Sequence, residues 1–235
     1  MSDATDTTQK AHAADKAKIW PMYRAVVGLG FLCGFIIVGV YEGTKPIIQR
    51  NRIEMREQAI KDVLPGAVTT QAFMLNEQEQ FVTVPSVQEN GGLLFAGYDE
   101  SDQLVGLAIE AQGMGYQDVV RLLYGYSFES ETILGIRVLE SRETPGLGDR
   151  IESDPVFLKN FGTLDVRLTS DGSSVANPIE FVKPGEKTDD WQIDGISGAT
   201  ITSRATATLL RESSTSWLPK VNAQKDAFLK GKRSP

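Results

Sequence analysis

AVVGLGFLCGFIIVGVY, residues 25 to 41, runs for seventeen residues without a charge. No other feature restricts the chain as much, because water penalises an apolar stretch of this length unless something covers it. With Ile19 to Tyr23 ahead of it, the run reaches the ~20 residues that a helix needs to cross a bilayer, provided Arg24 extends its charge to the interface. Trp20 and Tyr23 at one end and Tyr41 at the other stand where interfacial aromatic anchors stand. The competing reading is a cleavable signal peptide, but the run is long for one and no small-x-small site follows it. A single membrane-spanning helix is therefore predicted over 19–42. Lys10, Lys16, Lys18 and Arg24 precede it, and Lys45, Arg50, Arg52, Arg56 and Lys61 follow it. Basic residues on both sides leave its orientation open.

Composition closes several routes. A net charge of −7 and a pI near 4.9 give no basic surface to neutralise phosphates, so nucleic acid is excluded as a partner. The single cysteine, Cys33, lies in the apolar run, and the single histidine, His12, lies in a polar N-terminal stretch. That inventory excludes a CxxC haem or zinc site, an iron–sulfur cluster and a histidine-dependent catalytic triad; no metal site and no catalytic residues are expected. Redox chemistry would need an organic cofactor.

Residues 1–18 read as a disordered polar tail. Residues 43–66 read as a stalk helix: Ile53, Ile60, Val63 and Leu64 recur at near-helical spacing, and Pro65-Gly66 stops the run. LLFAGY (93–98) and LVGLAIEA (104–111) predict one hairpin; VVRLLYGY (119–126) and ILGIRVLE (133–140) predict another. DPVFLKNF (154–161) suggests a short helix opened by Asp154-Pro155. A longer helix follows DGISGATITS and runs to about Trp217, and 219–235 reads as a basic tail. The expected fold is α+β: one membrane anchor, a stalk helix, and a domain over 67–218 of antiparallel strands packed with helices.

Two stretches carry candidate chemistry. In DGISGATITS (194–203), Gly195 and Gly198 allow positive φ and close backbone approach, and Ser197, Thr200, Thr202 and Ser203 are all candidate N-caps. A helix start presents unpaired N–H groups and partial positive charge, which suits a phosphate. Taken alone, a plain capping turn is the simpler account. The second stretch, SRETPGLGDRIE (141–152), follows the second hairpin. Pro145-Gly146 suits a type II turn, and Gly148 lets the backbone lie against a planar group.

Together these stretches resemble the FMN-binding domain shared by the G subunit of Rnf electron-transport complexes and the C subunit of sodium-translocating NADH:quinone reductases. ETPGLG at 143–148 and SGAT at 197–200 carry the resemblance, with support from GYQDVVRLLYG at 115–125, LPGA at 64–67 and the single span. GDRIE at 148–152 is more similar to the Rnf branch. The resemblance implies FMN bound covalently to Thr200 through a phosphoester, installed by a flavin transferase from FAD with Mg²⁺. It implies that Asp194 serves the transferase's recognition motif and that Gly195, Ser197, Gly198 and Ala199 wrap the phosphate. Glu143, Thr144, Gly146, Leu147 and Gly148 would face the flavin ring, with backbone amides around Leu147 as donors; Tyr116 joins the cofactor-binding set. Family members often carry histidine just before ETPGLG, where this chain has Ser141 and Arg142, which puts a proton relay there in doubt.

The implied function is an electron relay between ferredoxin and NAD within an ion-translocating oxidoreductase. Its partners would be the other membrane and peripheral subunits, the flavin transferase and the lipid bilayer. The implied location is the bacterial inner membrane, with the FMN domain on the extracytoplasmic side. The alternatives are the equivalent subunit of a sodium-pumping quinone reductase, a stand-alone extracytoplasmic flavoprotein, or a tethered binding module without redox chemistry.

Overall fold

The computed structural model describes residues 4–85 and 93–230, with side chains over 20–85 and 93–229. The chain divides into two compact units, Met1–Arg52 and Ile53–Pro235. A single helix, α1, runs from Ala4 to Val63. From Trp20 onward it is long and apolar enough to cross a membrane, with a mean hydropathy of 2.0 over its most apolar stretch. Phe31 and Phe35 are each 77 % exposed, an arrangement hydrocarbon tolerates and water does not. Cys33 is likewise exposed on this helix.

The backbone differs from the expected tail, span and stalk. Residues 4–18 are helical and continuous with the span, while residues 1–3 and the His12 side chain lie outside the described set. Pro21 and Pro46 both sit inside α1, where proline removes a backbone donor and usually marks a break. Just before Pro46, the Thr44 hydroxyl donates to the carbonyls of Val40 (2.8 Å) and Tyr41 (3.2 Å), the kind of side-chain bond that accompanies proline in apolar helices.

The second unit is built on seven antiparallel strands: β1 (Thr69–Leu75), β2 (Phe81–Val84), β3 (Leu93–Tyr98), β4 (Leu104–Met114), β5 (Val119–Ser127), β6 (Thr132–Glu140) and β7 (Leu164–Asp165). Their order is β2-β1-β3-β4-β5-β6-β7. Both expected hairpins form, as β3–β4 and β5–β6. The short helix α2 (Pro155–Leu158) is opened by the Asp154 carboxylate, which accepts the Val156 and Phe157 amides at 3.1 Å. A parallel pair, β8 (Glu180–Val182) and β9 (Gln192–Asp194), leads into α3 (Thr200–Ala223) and α4 (Lys225–Lys230). The fold is α+β.

Helices cover both faces of the sheet. On one side Leu107, Ile109, Tyr124 and Tyr126 pack with Leu210, Leu218 and Val221 of α3. On the other, Ala59, Ile60, Val63 and Leu64 at the end of α1 pack on Phe95, Ala108 and Leu123. Burial on both faces explains why LLFAGY reads as an unbroken apolar run. Neighbouring glycines admit the last turn of α1. A Cβ at Gly97 would come 2.8 Å from Leu64 Cδ1, and one at Gly125 would come 2.8 Å from the carbonyl carbon of Val63.

The C-terminal end also departs from expectation. α3 continues to Ala223 and α4 follows, so 219–230 is not a tail. Phe228 is fully buried, with its ring 5.0 Å from those of Phe73 and Phe81, and its carbonyl accepts the Tyr98 hydroxyl at 2.6 Å. Gln224 donates to the Glu79 carbonyl (2.7 Å) and accepts the Phe81 amide (3.1 Å). One buried aromatic among charged residues outweighs the polar composition of the segment. Residues 231–235 lie outside the described set.

Candidate functional site

ETPGLG and SGAT, about fifty residues apart in sequence, meet in space. They enclose a cavity of about 330 Å³. Thr144, Leu147 and Gly148 line one side, Gly198, Ala199, Thr200, Ile201 and Thr202 the other, and Tyr116 from the β4–β5 turn completes it. Such a volume lies within the roughly 300–1,000 Å³ typical of small-molecule sites. Tyr116 is 63 % exposed, Ile201 57 % and Leu147 50 %, so the cavity has an apolar, solvent-facing rim.

Local chemistry builds the first wall. The Leu147 amide donates to the Thr144 carbonyl at 3.1 Å across Pro145-Gly146, and Gly146 has φ +77°, as a type II turn requires. That bond occupies the Leu147 amide, which is therefore not the free donor expected for a ring. Glu143 does not line the cavity. It lies beneath it, 6 % exposed, with Oε1 accepting the Gln117 amide (2.9 Å) and Oε2 the Thr202 hydroxyl (2.7 Å). Burial raises the Glu143 pKa. The Gln117 amide, the Thr202 hydroxyl and the amides of Asp118 and Tyr116 more than offset this and hold it below the usual glutamate range. Gly148 is small for the same reason: its Cβ would come 2.5 Å from Glu143 Oε2 and 2.9 Å from the Thr202 hydroxyl oxygen. Gly115 makes matching room beside Oε1. Thr144 is fixed to the β4–β5 turn by its hydroxyl, which donates to Gln117 Oε1 at 3.0 Å.

The second wall is the start of α3. None of the four candidate hydroxyls caps this helix: the N-cap is Ala199, with no side-chain cap bond and no acidic residue in the first turn. Ser203 instead donates to the Ala199 carbonyl (2.8 Å) and accepts the Ile196 amide (3.2 Å), folding the loop back on the helix. Thr202 is committed to Glu143. Ser197 is exposed and lies outside the cavity lining. Thr200 lines the cavity and, among the described residues, its hydroxyl has no partner. Gly198, with φ +85°, takes the left-handed turn expected of it. Gly195 does not; a Cβ there would come 2.6 Å from the Phe181 ring, so close packing selects glycine.

Asp194 and Gly195 stand outside the lining. The Asp194 carboxylate accepts the Gly185 amide at 2.7 Å. Its main chain is held by buried Asn160, which accepts the Asp194 N–H (3.0 Å) and donates to its carbonyl (3.1 Å). Arg150 ties the two walls together, donating to the Ser197 carbonyl (2.8 Å) and pairing with Asp154 (2.6 Å). Asn160, Arg150, Ile201 and the Thr202–Glu143 pair escaped sequence reasoning. Arg150 lies in GDRIE directly after ETPGLG, a usable signal; Asn160 gave none.

Residues 115–214 match the family model for the FMN-binding domain. At the level of whole chains, the G subunit of the ion-translocating oxidoreductase complex from Pasteurella multocida is 31 % identical over 212 residues, 88 % of this chain and 98 % of that one. Its counterpart from Methanosarcina acetivorans is 29 % identical over 203 residues, 85 % and 95 % of the two chains. This chain belongs to the family of those G subunits. The fold is also similar to that of the solved C subunit of the Na(+)-translocating NADH-quinone reductase from Parabacteroides distasonis, with a TM-score of 0.57, 22 % identity and coverage of 80 % and 95 %.

Proposed function

We propose that this chain is the electron-transfer subunit of an Rnf-type ion-translocating oxidoreductase and carries FMN as a phosphoester on Thr200. One observation supports this most: of the four hydroxyls in DGISGATITS, Thr200 alone lines the cavity without an internal partner. The first helical bond of α3 is Ser203 N–H to Ala199, so the amides of Thr200, Ile201 and Thr202 precede it and are available to phosphate oxygens. Gly198 and Ala199 keep the approach to the hydroxyl narrow in side-chain bulk. Tyr116, Leu147 and Ile201 offer apolar surface to a planar ring, and Glu143 fixes the floor on which they stand.

Attachment would form the Thr200 Oγ1–P bond as the P–O–P bond of FAD breaks, with AMP leaving and the hydroxyl proton released. This is work for a flavin transferase with Mg²⁺ rather than for this chain. When bound, FMN supplies one- and two-electron transfer chemistry. Within the complex, electrons would pass between ferredoxin and NAD by way of this protein, beside its membrane and peripheral partners. The helix would span the bacterial cell membrane once, with the second unit on the extracytoplasmic side. Tethering keeps the effective concentration of the cofactor near its partners high.

The test is co-expression with a flavin transferase, followed by ultraviolet fluorescence of the denatured band. Thr200→Ala should abolish it, while Thr202→Ala and Ser203→Ala should retain it. Fluorescence that survives Thr200→Ala would contradict the assignment.

A further inference from the structure

The start of α3 presents unpaired N–H groups, and the buried Glu143 carboxylate beneath it is already committed to the Gln117 amide and the Thr202 hydroxyl. Its first turn holds no acidic residue and no side-chain cap. Four residues after Thr200 stands Arg204, one helical turn along, and residues at that spacing share a helix face. Side chains on a helix lean toward its N-terminus, so an arginine at this spacing has the turn that carries Thr200 within its reach. A cation near a helix N-terminus opposes the helix dipole, which makes this an unfavourable place for arginine unless an anion sits there too.

Exposed Arg204, like Arg211 further along the same helix, stands apart from the ion-paired arginines of the second unit. Arg56, Arg121, Arg137, Arg142, Arg150 and Arg167 each pair with a carboxylate. Among the described residues Arg204 has no such partner. Its guanidinium carbon instead lies 5.0 Å from the centre of the Phe181 ring, the ring that packs against Gly195 in DGISGAT. Arg204 lines a second cavity, of about 260 Å³, which shares Ile201 with the cavity of Thr200. Glu212 lines the same second cavity two turns further along α3. Arg150, the other cation near the loop, is committed to the Ser197 carbonyl and Asp154.

We propose that Arg204 is a positioning residue for the flavin phosphate. Its guanidinium supplies the counter-charge for the phosphodiester at Thr200, and the Phe181 ring restrains it beside the helix start. This rests on the reading of Thr200 as the attachment residue. A phosphodiester keeps one negative charge and two free oxygens, which match the planar donor fork of arginine. Lysine would preserve the charge and lose the fork. The role is to hold the phosphate, and through it the ring, rather than to attach it.

The experiment uses the full chain, flavinylated by co-expression and purified in detergent, as wild type, Arg204→Gln and Arg204→Lys. Fluorescence of the denatured band first establishes covalent flavin. The phosphorus NMR resonance and the flavin fluorescence anisotropy are then measured on the native protein across a salt series. Arg204→Gln should keep wild-type flavin content, shift the resonance toward its position in the urea-unfolded protein and lower the anisotropy. Arg204→Lys should fall between the two, and high salt should move wild type toward Arg204→Gln. Without flavin, Arg204→Gln should melt close to wild type, because this exposed residue gives up only its contact with the Phe181 ring. A wild-type resonance and anisotropy in Arg204→Gln would overturn the proposal. So would a salt-independent wild-type resonance, which decides the matter even if the glutamine variant does not fold. Absence of flavin from the denatured wild-type band would instead remove the Thr200 reading, and this one with it.

Discussion

The Thr202 hydroxyl donates to the Glu143 carboxylate at 2.7 Å, joining residues 59 positions apart. This bond puts a buried charge at the junction of three segments: the β4–β5 turn, ETPGLG and the first turn of α3. The shape of the cavity above it depends on all three remaining in register.

Glu143→Gln should therefore destabilise the protein by about 1.5–3 kcal/mol at neutral pH, the range for hydrogen bonds to charged groups. Thr202 can rotate its hydroxyl to suit glutamine, but the backbone amides beneath Glu143 can only donate, and one end of glutamine cannot accept. Because folding lowers the Glu143 pKa, its stabilisation is complete above the ordinary value of 4.5 and is lost as pH falls through the folded value. Denaturant melts of both proteins should thus differ most at pH 7 and converge in acid. A gap that widens on acidification would contradict this.

Gly125→Ala tests how the end of α1 seats on the sheet. The added carbon would collide with the Val63 carbonyl, whereas at Gly135 the nearest atom is 4.0 Å away. Overpacking of this kind costs about 1–3 kcal/mol. Melting of the full chain in detergent should fall for Gly125→Ala and stay near wild type for Gly135→Ala.

Phe228→Ala should cost about 3–5 kcal/mol, as expected for a fully buried phenylalanine. Leu229, exposed beside it, serves as the control, and Leu229→Ala should be nearly neutral in the same denaturant titration.

What the sequence made legible follows from what is local. The apolar run, the two hairpins, the Asp154-Pro155 helix start and the Thr144–Leu147 turn each depend on neighbouring residues. Long-range partners stayed hidden. Glu143 is expected to face the flavin ring, and only the amides of the turn at 116–118 draw it beneath the cavity instead. Gly97 and Gly125 lie inside the predicted strands with no local reason for glycine, which comes only from the end of α1 laid across them. KDAFLK is too short and too charged for periodicity to expose Phe228 as core. Read as caps, the DGISGATITS hydroxyls look interchangeable; apart from the resemblance, it is tertiary contacts that set Thr202 and Ser203, which are committed internally, apart from Thr200.

Topology is open to labelling. With Cys33→Ala in place, Ser101→Cys in the exposed β3–β4 turn should react with an impermeant maleimide in intact spheroplasts. Reaction only after lysis would put the second unit in the cytoplasm.

The most direct measurement is tandem mass spectrometry of the tryptic peptide that follows Lys187 and ends at Arg204, taken from the purified flavinylated chain. That peptide contains all four hydroxyls of DGISGATITS, so fragmentation can assign the modified one without mutating any of them. The account requires a mass gain of one FMN less one water, carried on Thr200. An unmodified peptide, or the same gain on Ser197, Thr202 or Ser203, would contradict it.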